Sequence, residues 1–165
     1  MSSALAIATE AFGKTLEELG IEPDLKDPAA VGRRAALLAV ADTVWGRQFG
    51  PLFDSEQVGA LLGVSSRQAV SDLAKRGRLL VLDSSRGRKL YPAFQFGRNG
   101  RPYRELVPVL ELFSEVVETP HTIASWFTSP NSSLENQTPV DWLRAGRGSA
   151  QLLEAARRSA ARLAH

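Results

Sequence analysis

The stretch DSEQVGALLGVSSRQAVSDLAKRGRLLVLDSSRGRKLYPAFQ, residues 54–95, decides how the rest of the chain is read. Asp54 followed three residues later by Gln57 is a capping-box signal, so a helix is expected to open at Ser55. Val58, Leu61 and Leu62 give that helix an apolar face, and Gly63 stops it. Ser65 with Gln68 repeats the start signal. The second helix then buries Ala69, Val70 and Leu73 and ends near Gly77. Two short helices joined by a tight glycine-containing turn are the helix-turn-helix unit, whose second helix lies in the DNA major groove. Val70, Leu73 and Gly77 all stand one residue further from Gly63 than usual, as a single extra turn residue explains. Leu79 to Leu82, a polar turn from Asp83 to Arg88, and Leu90-Tyr91 then read as a hairpin, the wing of a winged helix-turn-helix.

Charge is concentrated in the same region. Residues 67–104 hold ten basic side chains against Asp72 and Asp83, a net of +8, within a chain whose formal net charge is only +2. Such a patch is the electrostatic footprint of a nucleic-acid face; the alternative is a solvated basic surface. On the second helix, Arg67, Gln68, Ser71 and Lys75 fall on the face away from Val70 and Leu73. Arg and Gln suit paired hydrogen bonds to guanine and adenine edges. Lys75, Arg76 and the wing residues Arg86, Arg88 and Lys89 suit phosphates, which position the protein without reading sequence. A capping box with Ser65 competes for the amide of Gln68.

The remaining elements read as helices. Ala4–Leu19 has Leu5, Phe12, Leu16 and Leu19 on one side; residues 21–30, with Pro23 and Pro28, read as a linker. Val31–Phe49 offers Leu37, Leu38, Val40, Val44 and Trp45 as core candidates before Gly50-Pro51 breaks the chain. Phe94 and Phe96 alternate with polar residues as on a half-buried strand whose rings pack in the core. Leu106–Val117 is a helix with Pro108 in its first turn and a broad apolar stripe. Thr119-Pro120 starts a helix carrying Trp126 and Phe127. Thr138, Pro139 and Asp141 supply the cap, first-turn proline and acid of another, and a last helix runs from Ser149. The expected fold is mainly α: a helical bundle with a winged helix-turn-helix carrying a short β-hairpin, followed by a small helical domain. Its divisions are N-terminal helices over 1–50, the helix-turn-helix with its hairpin over 51–104, and the helical C-terminal part over 105–165.

The run WFTSPNSSLENQTPVDWLRAG, residues 126–146, resembles the toxin-binding domain of the Xre/MbcA/ParS antitoxins, whose usual form is W-L-x-x-P-N-x-x-L-x-G-x-T-P-hydrophobic-D/E-x-L. Trp126, Pro130, Asn131, Leu134, Thr138, Pro139, Asp141 and Leu143 match, and the resemblance covers about residues 120–165. Asn136 departs from the family's usual glycine, although Asn tolerates a left-handed backbone better than most residues. The resemblance implies the antitoxin of a type II toxin–antitoxin pair that occludes a RES-domain, NAD-depleting toxin and represses its own operon. The implied partners are that toxin and operator DNA, with a homodimer or a higher hetero-oligomer with toxin as the assembly. The implied toxin-binding residues are Trp126, Pro130, Asn131, Leu134 and Trp142, with Arg158, Arg162 and His165 at the C-terminal end.

Forty-four per cent hydrophobic residues and three Trp mark a globular chain. No apolar run is long enough to span a membrane, and MSSALAIATEAF lacks the basic start of a secretory signal. With no cysteine, thiolate metal sites and disulfides are excluded, and the cytoplasm is the expected compartment. Catalysis is not expected: His121 and His165 stand in no nucleophile or metal pattern, SSRGRK lacks phosphate-loop spacing, and no cofactor is implied. Two further readings stay open. One is a stand-alone DNA-binding regulator whose C-terminal half dimerises; the other is a localisation adaptor of the ParS kind.

Overall fold

The expected capping box forms. Asp54 Oδ1 accepts from Gln57 N at 2.8 Å and Gln57 Oε1 accepts from Asp54 N at 2.9 Å, satisfying two donors at the start of a helix that has no earlier turn to bond. These bonds belong to a computed structural model that describes residues 3–20, 26–32, 35 and 48–165. Contacts divide the chain into two units, Met1–Thr43 and Val44–His165.

In the first unit, α1 (Ser3–Glu18) forms where expected, but none of its residues is buried, and Leu5, Ile7 and Phe12 face solvent. Residues 28–32 are helical. Asp27 Oδ1 accepts from Ala30 N at 2.9 Å, so a helix opens inside the span expected to be a linker. Leu37, Leu38, Val40, Val44 and Trp45, expected as core, lie outside the described residues.

In the second unit residues 48–49 are helical, as expected for the end of the second helix, and β1 (Leu52–Phe53), α2 (Ser55–Leu62) and α3 (Arg67–Lys75) follow. Gly63 ends α2 in the left-handed conformation (φ 71°, ψ 28°) that lacks a steric cost only for glycine. Val64 N then donates back to Gly59 O at 3.0 Å, folding the turn against α2. A Cβ on Gly59 would stand 3.2 Å from Val64 O, so the turn is this tight only because that residue has no side chain. The cap of α3 is Ser66, whose Oγ accepts from Ala69 N at 3.1 Å. The expected box of Ser65 with Gln68 is therefore corrected: Gln68 Nε2 donates to Asp72 Oδ1 at 2.8 Å instead. Val58, Val70, Leu79 and Tyr91 form a small core of their own between the two helices and the sheet. Burying an aliphatic side chain of this size contributes about 1.5–3 kcal/mol.

The wing consists of β2 (Leu82–Asp83) and β3 (Lys89–Pro92), antiparallel, with Leu82 opposite Leu90 and Asp83 opposite Lys89. β1 adds to the other edge of β3, giving the order β1-β3-β2, a third strand that the sequence reading missed. Strand β2 is shorter than the expected Leu79–Leu82. The backbone of Leu80 is satisfied by a side chain: Gln95 Oε1 accepts from Leu80 N at 2.8 Å, and Gln95 Nε2 donates to Leu80 O and to Pro92 O, each at 3.0 Å. Where Phe94 and Phe96 alternate, Ala93–Gln95 forms a 3-10 turn rather than a strand, and Phe96 is extended and bridges Pro102; Phe94 is buried as expected and Phe96 half-buried against the small core.

Four helices complete the unit: α4 (Leu106–Ser114), α5 (Pro120–Thr128), α6 (Pro139–Arg144) and α7 (Ser149–Leu163). α4 is shorter than the expected span to Val117. The main core runs continuously from Phe49, Leu80, Leu82 and Phe94 through Val109, Phe113 and Phe127 to Leu134, Leu152 and Ala156. This core draws side chains from both residues 51–104 and residues 105–165, which lie in one compact unit. Thr138 caps α6 as expected, with its Oγ1 accepting from Asp141 N at 3.1 Å. The described fold is mainly helical, with one small antiparallel sheet.

Candidate nucleic-acid interface

The cap at Ser66 sets where the side chains of α3 point. With about 100° per residue, Arg67, Gln68, Ser71 and Lys75 share one side, opposite the buried Val70 and the half-buried Leu73. Arg67, Gln68, Lys75 and Arg76 are exposed and Ser71 half-buried; in the wing, Arg86, Arg88 and Lys89 are exposed. The hairpin and α3 meet across one cleft of about 400 Å³, lined by Arg67 of α3, Arg88 and Lys89 of the hairpin, Ser55 and Glu56 of α2, and its cap Asp54. The fold therefore brings together cations that are more than twenty residues apart in sequence.

Partners within the protein grade these cations. Lys89 is paired with Asp83 across the hairpin. Arg67 lies 3.8 Å from Glu56 with both side chains 81% exposed, a geometry and exposure that leave it nearly free. No ion pair engages Lys75, Arg76, Arg86 or Arg88 among the described residues. The amide of Gln68 is held by Asp72, at 2.8 Å. Ser84 shapes the wing tip, its Oγ accepting from Arg86 N at 3.3 Å and Arg88 N at 3.0 Å, which holds both arginines on a defined turn.

The residues of the C-terminal motif fall into two groups. Leu134 is fully buried, Trp142 is 2% exposed and Asn131 8%. Asn131 Oδ1 accepts from Ser133 N at 2.9 Å, and Trp142 Nε1 donates to Gly148 O at 3.1 Å while Arg147 stacks 4.4 Å over its ring. As surface contacts for a partner these three are corrected: their side chains fill and brace the domain's own interior. The turn they support places Glu135 and Asn136 in the left-handed conformation, φ 56° and 60°, so Asn136 does adopt the backbone where the family pattern has glycine.

Trp126, Pro130, Arg158, Arg162 and His165 reach the surface. Trp126 and Arg162 come together. Ser159 Oγ accepts from Trp126 Nε1 at 2.9 Å and from Arg162 Nη2 at 3.3 Å, and both residues line a cleft of about 490 Å³ between α5 and α7 with the exposed Leu163. Sequence reasoning missed Ser159; its place on α7, three residues before Arg162, was the available signal. Arg158 is bound to Glu154 at 3.1 Å, the pair expected at this helical spacing.

No family model and no curated protein matches the chain. Among solved structures, the NMR structure of Rv2175c is similar, with a TM-score of 0.58 at 24% identity over 67% of this chain and 81% of that one. This likeness supports the fold.

Proposed function

We propose that the protein is a DNA-binding repressor that doubles as the antitoxin of a type II toxin–antitoxin pair. One observation carries the DNA-binding half: the recognition helix and the wing present Arg67, Arg88 and Lys89 to a single cleft. A duplex seated there meets α3 in its major groove and the wing on its backbone. Arg67 and Gln68 read base edges, with Ser71 between them, while Lys75, Arg76, Arg86, Arg88 and Lys89 neutralise phosphates. The antitoxin half rests on the motif at residues 126–143 and on the half-buried Trp126 and the exposed Arg162 and Leu163 of the α5–α7 cleft. In this reading, Arg158, Arg162 and His165 approach the opening of a RES-domain toxin that depletes NAD. Their charge suits a site that attracts pyrophosphate. The toxin acts as co-repressor, and the DNA-bound form is a homodimer or a larger complex with toxin.

Coexpression with the product of the neighbouring reading frame tests the pair. Copurification through affinity-tagged toxin, lost on Arg162→Glu, supports the reading; no interaction removes the antitoxin half. On DNA, Arg67→Ala costs about 1–3 kcal/mol against a cognate duplex if it pairs with guanine. A second reading, a stand-alone regulator, is favoured by the burial of Asn131, Leu134 and Trp142. It predicts unchanged operator binding and no copurifying toxin.

A further inference from the structure

Behind the recognition helix lies a second cationic feature that a duplex on α3 does not use. A cleft of about 770 Å³ opens between the end of α2, the back of α3 and the loop at residues 97–104. Leu61, Leu73 and Tyr103 line its apolar part, and Arg78, Arg101 and Arg104 its polar part. Leu73 stands two residues from both Ser71 and Lys75, roughly 200° around the helix from each, so the cleft faces away from the DNA side. Its volume lies within the range of roughly 300–1,000 Å³ that small-molecule sites occupy.

The three arginines are exposed, and among the described residues none is paired with a carboxylate. The nearest acid in sequence, Glu105, instead accepts a hydrogen bond from Ser149 Oγ. Three uncompensated guanidiniums around an apolar floor repel one another and attract an anion; their planar forks match a carboxylate's two oxygens. Leu61, 40% exposed, loses water when an apolar body covers it. The loop is closed on itself by Gly97 N donating to Arg101 O at 2.8 Å, which fixes the backbone that carries Arg101 before any ligand arrives.

We propose that this cleft is a binding site for a small amphipathic carboxylate, its aromatic or aliphatic body on Leu61, Leu73 and Tyr103 and its carboxylate on Arg78, Arg101 and Arg104. The site is independent of the DNA and toxin readings. Because its floor includes Leu73 of α3 and Leu61 of α2, an occupant touches both helices of the helix-turn-helix from behind.

The test is a titration of the full-length, nitrogen-15-labelled protein with 2-naphthoate, without DNA, followed by amide chemical shifts. Saturable shifts confined to the amides around residues 61–63, 73, 78–79 and 99–104 are expected, with a Kd on the order of 0.1–1 mM for a ligand of this size. The neutral analogue 2-naphthylmethanol binds about tenfold more weakly. Arg78→Gln, Arg101→Gln and Arg104→Gln each weaken naphthoate severalfold and leave the remaining spectrum unchanged, because the three side chains hold nothing else in place. Equal binding of acid and alcohol, shifts centred elsewhere, or indifference to all three variants overturns the proposal. So does binding of a glutamate-rich decapeptide in the cleft with no response to naphthoate, which reassigns the surface to a protein partner.

Discussion

Replacing Gln95 isolates the contact that fixes the wing to the core. Its amide is 1% exposed and makes three hydrogen bonds, two to the backbone of Leu80 and one to Pro92 O. Leu80 itself is 3% exposed, so Gln95→Met, which keeps most of the volume, leaves its buried N–H and C=O without these partners. An unsatisfied buried backbone group costs about 1–3 kcal/mol. Two such groups, with some water entering, put the loss at about 2–4 kcal/mol. For a chain of this size, each kcal/mol lowers the melting temperature by about 2–4 °C. Urea unfolding of the full-length variant measures it, and unchanged steepness of the transition shows that stability, rather than the unfolded state, has moved. A loss below about 0.5 kcal/mol in Gln95→Met would refute the reasoning, because Leu80 would then have found other partners at no cost.

Two further predictions concern the turn. Ser66→Ala should cost about 0.5–2 kcal/mol and loosen the start of the recognition helix, whereas Ser65→Ala should change stability little; denaturation of the pair distinguishes the two serines as caps. Gly59→Ala should destabilise despite alanine's advantage of about 1 kcal/mol in a helix, since Val64 O, at 3.2 Å, is tied into the turn by Val64 N and cannot withdraw. Thermal unfolding reads the sign directly, and a gain in stability would show that the turn yields.

Much of the fold was legible because local signals were strong. Asp54 with Gln57, Gly63, and Thr138-Pro139-Asp141 each fix backbone geometry within a few residues, and each forms as read. Two adjacent serines defeated the second cap: either can accept from a helix N–H, and only the folded turn selects Ser66. β1 was invisible because two residues carry no period, and β2 was overextended because nothing local reveals that a side chain fifteen residues away supplies Leu80 with its hydrogen bonds. At the candidate sites the exposed cations of α3 and the wing were readable from charge and helical phase. The C-terminal motif was harder. Residues expected to meet a partner include some that fill the interior and some that reach solvent, and only burial separates Leu134 and Trp142 from Pro130 and Arg162.

The salt dependence of duplex binding by the full-length protein tests most directly whether α3 and the wing form one DNA face. Four phosphate-directed cations, Lys75, Arg76, Arg86 and Arg88, have no ion pair among the described residues, which gives a slope of log affinity against log salt near −3.6. Between about 50 and 200 mM salt, affinity for DNA from upstream of the reading frame should fall roughly 150-fold, and Arg88→Ala should flatten the slope by about 0.9. A flat salt response, or a slope that ignores both Arg88→Ala and Lys75→Ala, contradicts the account.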